Sequence, residues 1–303
     1  MSAEITWPTK TREIQNHHMD STVWNRFAFR QDDIVIATYG KSGTTWTQQI
    51  VSQILFGGAA DVAVPEISPW VDLRLPPAEE KLAALEAQTH RRFVKTHLPV
   101  DALIYSPAAR YLYVGRDGRD VLWSLYNHHA GANDLWYQLI NDTSGRVGPP
   151  IGPPRESIRQ YFLEWLDGDG YPFWPFWENV RSWWAIRDLP NLRLVHFNDL
   201  KADLPGEIRR LAAFLGAPLD EAALPAIVEH CSIEWMRRHG EHTVPMGGAI
   251  FDGGAGRFLH KGTNGRWRDT LTHDDIARYE AAAVRELGAD CAAWLAHGSR
   301  RPA

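Results

Sequence analysis

Short apolar runs alternate with amphipathic stretches along the chain. Runs rich in β-branched and aromatic residues predict buried strands at residues 33–39, 92–95, 110–114 and 192–197. Apolar residues at helical spacing predict helices at residues 46–55, 77–87, 121–126, 205–215 and 273–287. Strands that alternate with helices are typical of an α/β fold with a central, mainly parallel sheet flanked by helices.

Two segments interrupt this pattern. Residues 145–154 contain four prolines and three glycines and predict a mobile surface loop. Residues 245–257 contain five glycines and predict a second flexible segment. Both are candidates for lids over a binding site. Neither marks a shift in composition, so we predict one domain over residues 1–303.

Three of the predicted strands end in polar clusters, at residues 41–45, 95–97 and 116–124. In an open parallel sheet, ligands bind beyond the carboxyl ends of the strands. We therefore expect these clusters to open onto the same edge and to form one site.

The first cluster has the order strand, glycine-containing turn, helix. Gly43 lets the backbone pass close to a ligand, and the following helix N-terminus offers unpaired N–H groups to an anion. The nucleotide-binding pattern G-x-x-x-x-G-K-[ST] is not met, because Val35 stands where its first glycine belongs. The sequence therefore favours a shorter, P-loop-like phosphate loop around Lys41.

Composition and charge narrow the function classes. Hydrophobic residues make up 44% and charged residues 23%, as in ordinary globular proteins. The net charge of −5 argues against a general nucleic-acid binder but leaves room for a local basic pocket for one small anion. Two cysteines make no disulfide framework and no metal-ligand spacing.

No apolar segment of the kind found in secretory signals begins the chain, and no apolar run approaches the ~18 residues of a membrane span. We therefore expect a cytoplasmic protein without a membrane span.

Residues 30–46 (RQDDIVIATYGKSGTTW) resemble the signature of the cytosolic-type sulfotransferases. The resemblance runs from about residue 24 to 272 and includes, in order, residues 95–99 (KTHLP), 113–124, 176–184, 198–201 and 261–267. It implies transfer of a sulfonate group from 3′-phosphoadenosine 5′-phosphosulfate (PAPS) to a hydroxyl group, a phenol or an alcohol, of a small-molecule acceptor. No metal is implied.

The resemblance also implies roles for individual residues. His97 is the general base, and an imidazole pKa near 6.5 suits that role. Lys41 stabilises the leaving phosphate, and Lys95 lies near the transferring group. Arg116 and Ser124 hold the 3′-phosphate, for which a guanidinium fork is well suited.

The rest of the implied cofactor site shows both matches and departures. The family usually has proline at position 40, tyrosine at Phe197 and threonine at Cys231. His260 replaces an arginine before Lys261 and Gly262, so one 3′-phosphate donor is expected to be lost or to depend on pH. The full implied cofactor-binding set is Lys41, Ser42, Gly43, Thr44, Thr45, Trp46, Arg116, Ser124, Phe197, Cys231, His260, Lys261 and Gly262.

The sequence predicts the acceptor-binding residues less well than the cofactor-binding residues. The chain has 14 tryptophans, and an aromatic-rich stretch covers residues 161–184. Trp174 and Trp177 are the predicted acceptor contacts, which favours a partly aromatic or apolar acceptor. Four further histidines are interpreted as ordinary polar positions: His17, His18, His128 and His129.

Two alternatives stay open at this point. One is a small-molecule kinase on a related phosphate loop, and the other is a nucleotide-binding protein without catalysis. A homodimer is also open, because the family's C-terminal dimer pattern is only partly present: Arg268 and Thr272 fit, and His273 and Ala277 do not.

Overall fold

A four-stranded parallel sheet forms the centre of the protein. The computed structural model describes residues 5–299. The strands are β1 (Ile34–Thr38), β2 (Phe93–Thr96), β3 (Arg110–Gly115) and β4 (Leu192–His196), in the order β2–β1–β3–β4. All pairings between them are parallel. The predicted α/β fold with a mainly parallel sheet is therefore confirmed.

Helices connect the strands and cover the sheet. Within residues 5–299 the α-helices are α1 (Thr44–Leu55), α2 (Val64–Ile67), α3 (Ala78–Ala87), α4 (Gly118–Gly131), α5 (Asp134–Asn141), α6 (Ile158–Asp167), α7 (Phe176–Ala185), α8 (Phe197–Ala202), α9 (Leu204–Leu215), α10 (Leu224–His230), α11 (Ile233–Arg238), α12 (Gly240–Thr243), α13 (Gly254–Leu259), α14 (His273–Leu287) and α15 (Ala289–His297). Short 3₁₀-helices lie at Ser21–Arg26, Val100–Ala102, Pro245–Gly248 and Arg266–Asp269. No helix of this part of the chain is long and apolar enough to cross a membrane.

The two faces of β1 divide the interior into two cores. Ile34 and Ile36 pack on one face, in a core to which α1, α9 and α10 contribute. Val35 and Ala37 point to the other face, in a larger core with α4, α6, α7 and α14. Every residue of β1 is buried, as expected for a parallel strand covered on both sides. This explains why its sequence is a continuous apolar run.

The predicted strands and long helices are present, with shifted ends. Residues 145–154 contain no helix or strand, as expected for a loop. The expectation for residues 245–257 was wrong in part. This segment contains the 3₁₀-helix Pro245–Gly248 and the start of α13, and Ile250 and Phe251 are anchored in a small apolar cluster with Trp136.

Gly115 ends β3 where the sheet meets α15. A Cβ atom at position 115 would lie 2.3 Å from Cη2 of Trp294. Trp294 is itself largely buried against Trp184 and Tyr113. A side chain at the last position of β3 would therefore force Trp294 to shift.

We expect Gly115→Ala to lower the free energy of unfolding by about 1–3 kcal/mol, because the extra methyl group overpacks the Trp294 contact. Gly152→Ala is the matched control, since no atom lies within 4 Å of the corresponding Cβ position. Urea denaturation of the two variants measures the difference. Equal midpoints would show that Trp294 moves aside without cost.

Candidate active site

The loop after β1 makes a sharp turn into α1. Lys41 and Gly43 both have left-handed backbone conformations, with φ of 66° and 111°. At Gly43 a Cβ would also come within 2.9 Å of the Phe197 ring, so glycine is needed there for two reasons. α1 begins at Thr44, and the N–H groups of its first turn have no helical acceptor. This is the geometry of an anion-binding loop.

A cavity of about 1090 Å³ opens at the carboxyl edge of the sheet, beside this loop. It brings together the three polar clusters that the sequence placed at strand ends. All predicted site residues line it except Ser42 and Trp177: Lys41, Gly43, Thr44, Thr45, Trp46, Lys95, His97, Arg116, Ser124, Trp174, Phe197, Cys231, His260, Lys261 and Gly262. Ser42 belongs to the loop, but its side chain is buried.

His97 is held in one orientation at the centre of the cavity. Its Nδ1 lies 2.8 Å from the carbonyl oxygen of Thr38 and donates a hydrogen bond to it. Nε2 is therefore the unprotonated nitrogen and is free to accept a proton. Asn179 Nδ2 donates to the His97 carbonyl oxygen at 2.9 Å, and Tyr113 donates to Asn179 in turn. Burial, aided by the charge of Lys95, lowers the pKa of His97 to about 3 and keeps the ring neutral.

Two lysines share the cavity with His97. Burial and the neighbouring charges of Arg116 and Lys95 lower the pKa of Lys41 to about 7. Burial lowers the pKa of Lys95 to about 8. Lys41 Nζ lies 3.1 Å from His128 Nδ1 and 4.5 Å from the centre of the Phe258 ring. Two half-desolvated cations in one cavity favour an anionic ligand.

The opposite part of the cavity has aromatic and guanidinium walls. Trp46 packs edge-on against Phe197 at 5.3 Å and donates from Nε1 to the Cys231 carbonyl oxygen at 2.8 Å. Arg116 lies over Phe197 at 4.2 Å and donates to Asn264 Oδ1 at 2.7 Å. Burial raises the pKa of the Cys231 thiol, so Cys231 contributes as a small neutral side chain.

His260 agrees with the first of the two expectations, that the cationic donor at this position is lost. Burial and the nearby charge of Arg266 lower the pKa of His260 to about 4, so the imidazole is neutral. Its Nδ1 accepts a hydrogen bond of 2.9 Å from Arg266 Nη1. Arg266, which the sequence pattern did not single out, is therefore a further cation of the cavity, beside His260.

Trp174 and Trp177 have different environments. The Trp174 ring stacks on His97 at 5.7 Å, and Tyr39 donates to the Trp174 carbonyl oxygen. The ring also lies against Gly40, where a Cβ would be 3.4 Å from it, at ordinary van der Waals contact. Trp177 does not line the cavity. It packs in the core against Trp165, and its prediction as an acceptor contact is corrected.

Sequence reasoning missed the histidines that line the cavity. His18, His128 and His129 face it beside aromatic rings, although they were interpreted as ordinary polar positions. Burial lowers the pKa of each of them, so the three rings are neutral. The signal for His128 was its position four residues after Ser124, one turn along the same helix face. His18 had no comparable signal.

Comparisons with known proteins show the family of this chain. The sequence model of the family described as "Sulfotransferase domain" matches residues 31–289 of this chain. A glycolipid sulfotransferase of Mycobacterium bovis is 31% identical over 93% of both chains, and mouse sulfotransferase 1B1 is 30% identical over 94% of this chain and 95% of its own. A crystal structure of retinol dehydratase with androsterone and the inactive cofactor PAP has a TM-score of 0.67 at 27% identity, covering 88% of this chain and 83% of its own.

The chain therefore belongs to the sulfotransferase family. It is an enzyme that transfers a sulfonate group from PAPS to a small-molecule acceptor. The kinase and the non-catalytic alternatives are set aside by this match.

The lowered lysine pKa values predict how affinity for adenosine 3′,5′-bisphosphate (PAP) depends on pH. An anion binds the protonated lysines, and these lose their protons in the free enzyme as pH rises through about 7 for Lys41 and about 8 for Lys95. We expect the Kd of PAP to rise between pH 7 and 9, by up to about tenfold per pH unit for each lysine that must take up a proton. Calorimetric titration at several pH values measures it.

Lys41→Met removes the group that titrates first. Its Kd should be higher at pH 7 and should change less between pH 7 and 8 than that of the unmodified enzyme. A Kd that stays constant from pH 7 to 9 would contradict the role assigned to these two charges.

Proposed function

We propose that His97 is the general base of the sulfonate transfer and that Lys41 stabilises the phosphate that leaves. The observation that carries the proposal is the hydrogen bond from His97 Nδ1 to the Thr38 carbonyl oxygen, which presents Nε2 as an acceptor in the cavity. An acceptor hydroxyl placed at Nε2 gives up its proton as its oxygen attacks sulfur. The lone pair of Nε2 takes that proton.

The charges near His97 support its use as a base only when an anion is present. In the free enzyme, Lys95 and Lys41 both lower its pKa. An anion that binds the two lysines offsets this repulsion and raises the basicity of Nε2. His97 would therefore become a stronger base in the complex that carries the sulfonate than in the free protein.

The proposed roles of the other residues follow from their places around the cavity. PAPS supplies the activated sulfonate and a good leaving group. The loop of Ser42, Gly43, Thr44 and Thr45 would bind the 5′-phosphosulfate through backbone N–H groups and hydroxyls. Lys95 would stabilise the charge that spreads over the transferring group.

The nucleoside would lie at the aromatic and guanidinium end of the cavity. Trp46 and Phe197 would pack on the adenine, with the small Cys231 side chain beside them. Arg116 and Ser124 would hold the 3′-phosphate, and Lys261 and Gly262 would close over it. Arg116 already stacks on Phe197, which supports this placement next to the ring system.

The proposed acceptor is a hydroxyl compound with an apolar, partly aromatic body. Trp70 and Trp174 contact the His97 ring, and Trp136 and Phe173 line the same cavity. A glycolipid is the acceptor named for the mycobacterial relative, and androsterone is bound in the retinol dehydratase structure. Both are largely apolar hydroxyl compounds. Neutral histidines on the same wall would hydrogen-bond polar groups of the acceptor without adding charge.

We also propose that the whole chain is one sulfotransferase domain, because the family match covers residues 31–289 and one sheet supports both cores. A reducing cytoplasm is the proposed location, since both cysteines are buried free thiols. A homodimer stays a prediction.

We expect His97→Ala to reduce the transfer rate at least about 100-fold, because general base catalysis contributes roughly that much or more. The Kd of PAP should change less than about threefold, since Lys41 and Arg116 are intact. Transfer from ³⁵S-labelled PAPS to 2-naphthol and to a set of alcohols measures the rate. His273→Ala, at an exposed histidine, is the control.

An unchanged rate in His97→Ala would overturn the assignment of the base. PAP binding with no transfer to any acceptor by the unmodified enzyme would mean that the acceptor class is wrong.

The acceptor wall is tested by Trp174→Leu. We expect the KM for 2-naphthol to rise about tenfold or more, because the stacked indole surface is lost. The Kd of PAP should stay within about twofold, since Trp174 lies on the acceptor side. An unchanged KM would place the acceptor elsewhere in the cavity. Trp184→Ala, at a half-buried tryptophan away from the cavity, is the control.

A further inference from the structure

Arg266 stands at the guanidinium end of the cavity and is not needed by any part of the fold described so far. It is the first residue of the 3₁₀-helix Arg266–Asp269, directly after Gly265. It lines the same cavity as Arg116, His260 and Lys261. The positive charge of Arg266 contributes to the lowered pKa of Arg116 and to that of His260.

No carboxylate of the described residues 5–299 forms an ion pair with this guanidinium. Among residues 5–299 its hydrogen-bond partner is the neutral ring of His260, and it forms no ion pair. Arg119, by contrast, is paired with Asp117 and Glu280. Asp120 and Asp117 offset part of the charge of Arg116, whereas no ion pair within residues 5–299 offsets that of Arg266, so negative charge from a ligand would stabilise the two cations. The arrangement therefore favours a dianionic group between Arg116 and Arg266.

Two hydrogen bonds hold the turn that carries Arg266 against Arg116 and α4. Arg116 Nη2 donates to Asn264 Oδ1 at 2.7 Å, and Asn264 is two residues before Arg266. The Gly265 N–H donates to Asp120 Oδ1 at 2.7 Å and holds the same turn against α4. Arg116 and Arg266 are thus presented by two segments that are tied to each other.

His260 has a different task from the one its place in the sequence implies. An arginine is always protonated, so Arg266 Nη1 donates and His260 Nδ1 accepts. His260 has its side chain engaged in orienting Arg266 and adds no charge of its own. At position 260, where the family resemblance places an arginine, a neutral ring therefore contacts a guanidinium six residues later.

We propose that Arg266 binds the 3′-phosphate of PAPS together with Arg116, and that His260 is a positioning residue for Arg266. This rests on the proposed placement of the 3′-phosphate at Arg116. Arg266 would then contribute to the selection of nucleotides that carry a 3′-phosphate over those that do not, such as 5′-AMP.

The test compares two nucleotides on each variant by isothermal titration calorimetry. The probes are PAP, which has the 3′-phosphate, and 5′-AMP, which lacks it. For Arg266→Ala we expect the Kd of PAP to rise about tenfold or more, as for a lost charge-assisted hydrogen bond, while the Kd of 5′-AMP changes less than about threefold. Arg266→Lys should lie between, because it keeps the charge and loses the fork.

Two further variants separate binding from structural effects. Arg268→Ala is the matched control: it removes an arginine of the same 3₁₀-helix that lies over Trp267 and does not line the cavity. Its two Kd values should be unchanged. Adding His260→Arg to Arg266→Ala should recover at least part of the PAP affinity, because it returns a guanidinium to the same end.

The outcomes are distinct. Equal losses for PAP and 5′-AMP in Arg266→Ala would show a structural effect and overturn the proposal, as would no loss for either. An unmodified enzyme that binds PAP no more tightly than 5′-AMP would contradict the 3′-phosphate site itself, and with it the proposed function.

Discussion

The parallel pairing of β1 with β2 and β3 is the constraint on which the active site depends. Ala37 is in register with Thr96 of β2, and Thr38 with Val114 of β3. All three strands therefore end at one edge, and their next residues enter one cavity. The His97–Thr38 hydrogen bond is a consequence of this register, because the residue after β2 can reach the last carbonyl of β1 only when the strands run in the same direction.

Electrostatics explains how a chain of net charge −5 can bind a polyanion. Six lysine and arginine residues line the cavity against three acidic residues, and burial removes Lys41 and Lys95 from water. Lys41 and Lys95 are held with lowered pKa values as a result. The free site is electrostatically unfavourable, and a bound polyanion relieves it. The binding energy that this releases is available for aligning the reacting groups.

The aromatic part of the cavity, where we propose that the acceptor binds, depends on apolar contact and not on charge. Tryptophan and phenylalanine rings supply apolar contact area, and histidines between them stay neutral because burial disfavours their charged forms. Lys41 lies between the cationic and the aromatic part of the cavity. In the free protein its Nζ contacts His128 and the Phe258 ring, close to where the sulfonate would be transferred. The cavity thus joins a cationic half to an aromatic half at His97.

The sequence by itself determined the order of the motifs along the chain, the phosphate loop and the polar residues at the strand ends. These features depend on short-range patterns. The sequence alone was enough to identify the buried β-branched runs, Gly43 and the order Lys-Thr-His. It did not determine which aromatic and histidine side chains face the cavity. Trp174 and Trp177 are three residues apart, yet one lines the cavity and the other packs in the core. Only the tertiary structure decided that Arg266 stands beside His260, since a contact between two loop side chains depends on how the turn at Gly265 is held against α4.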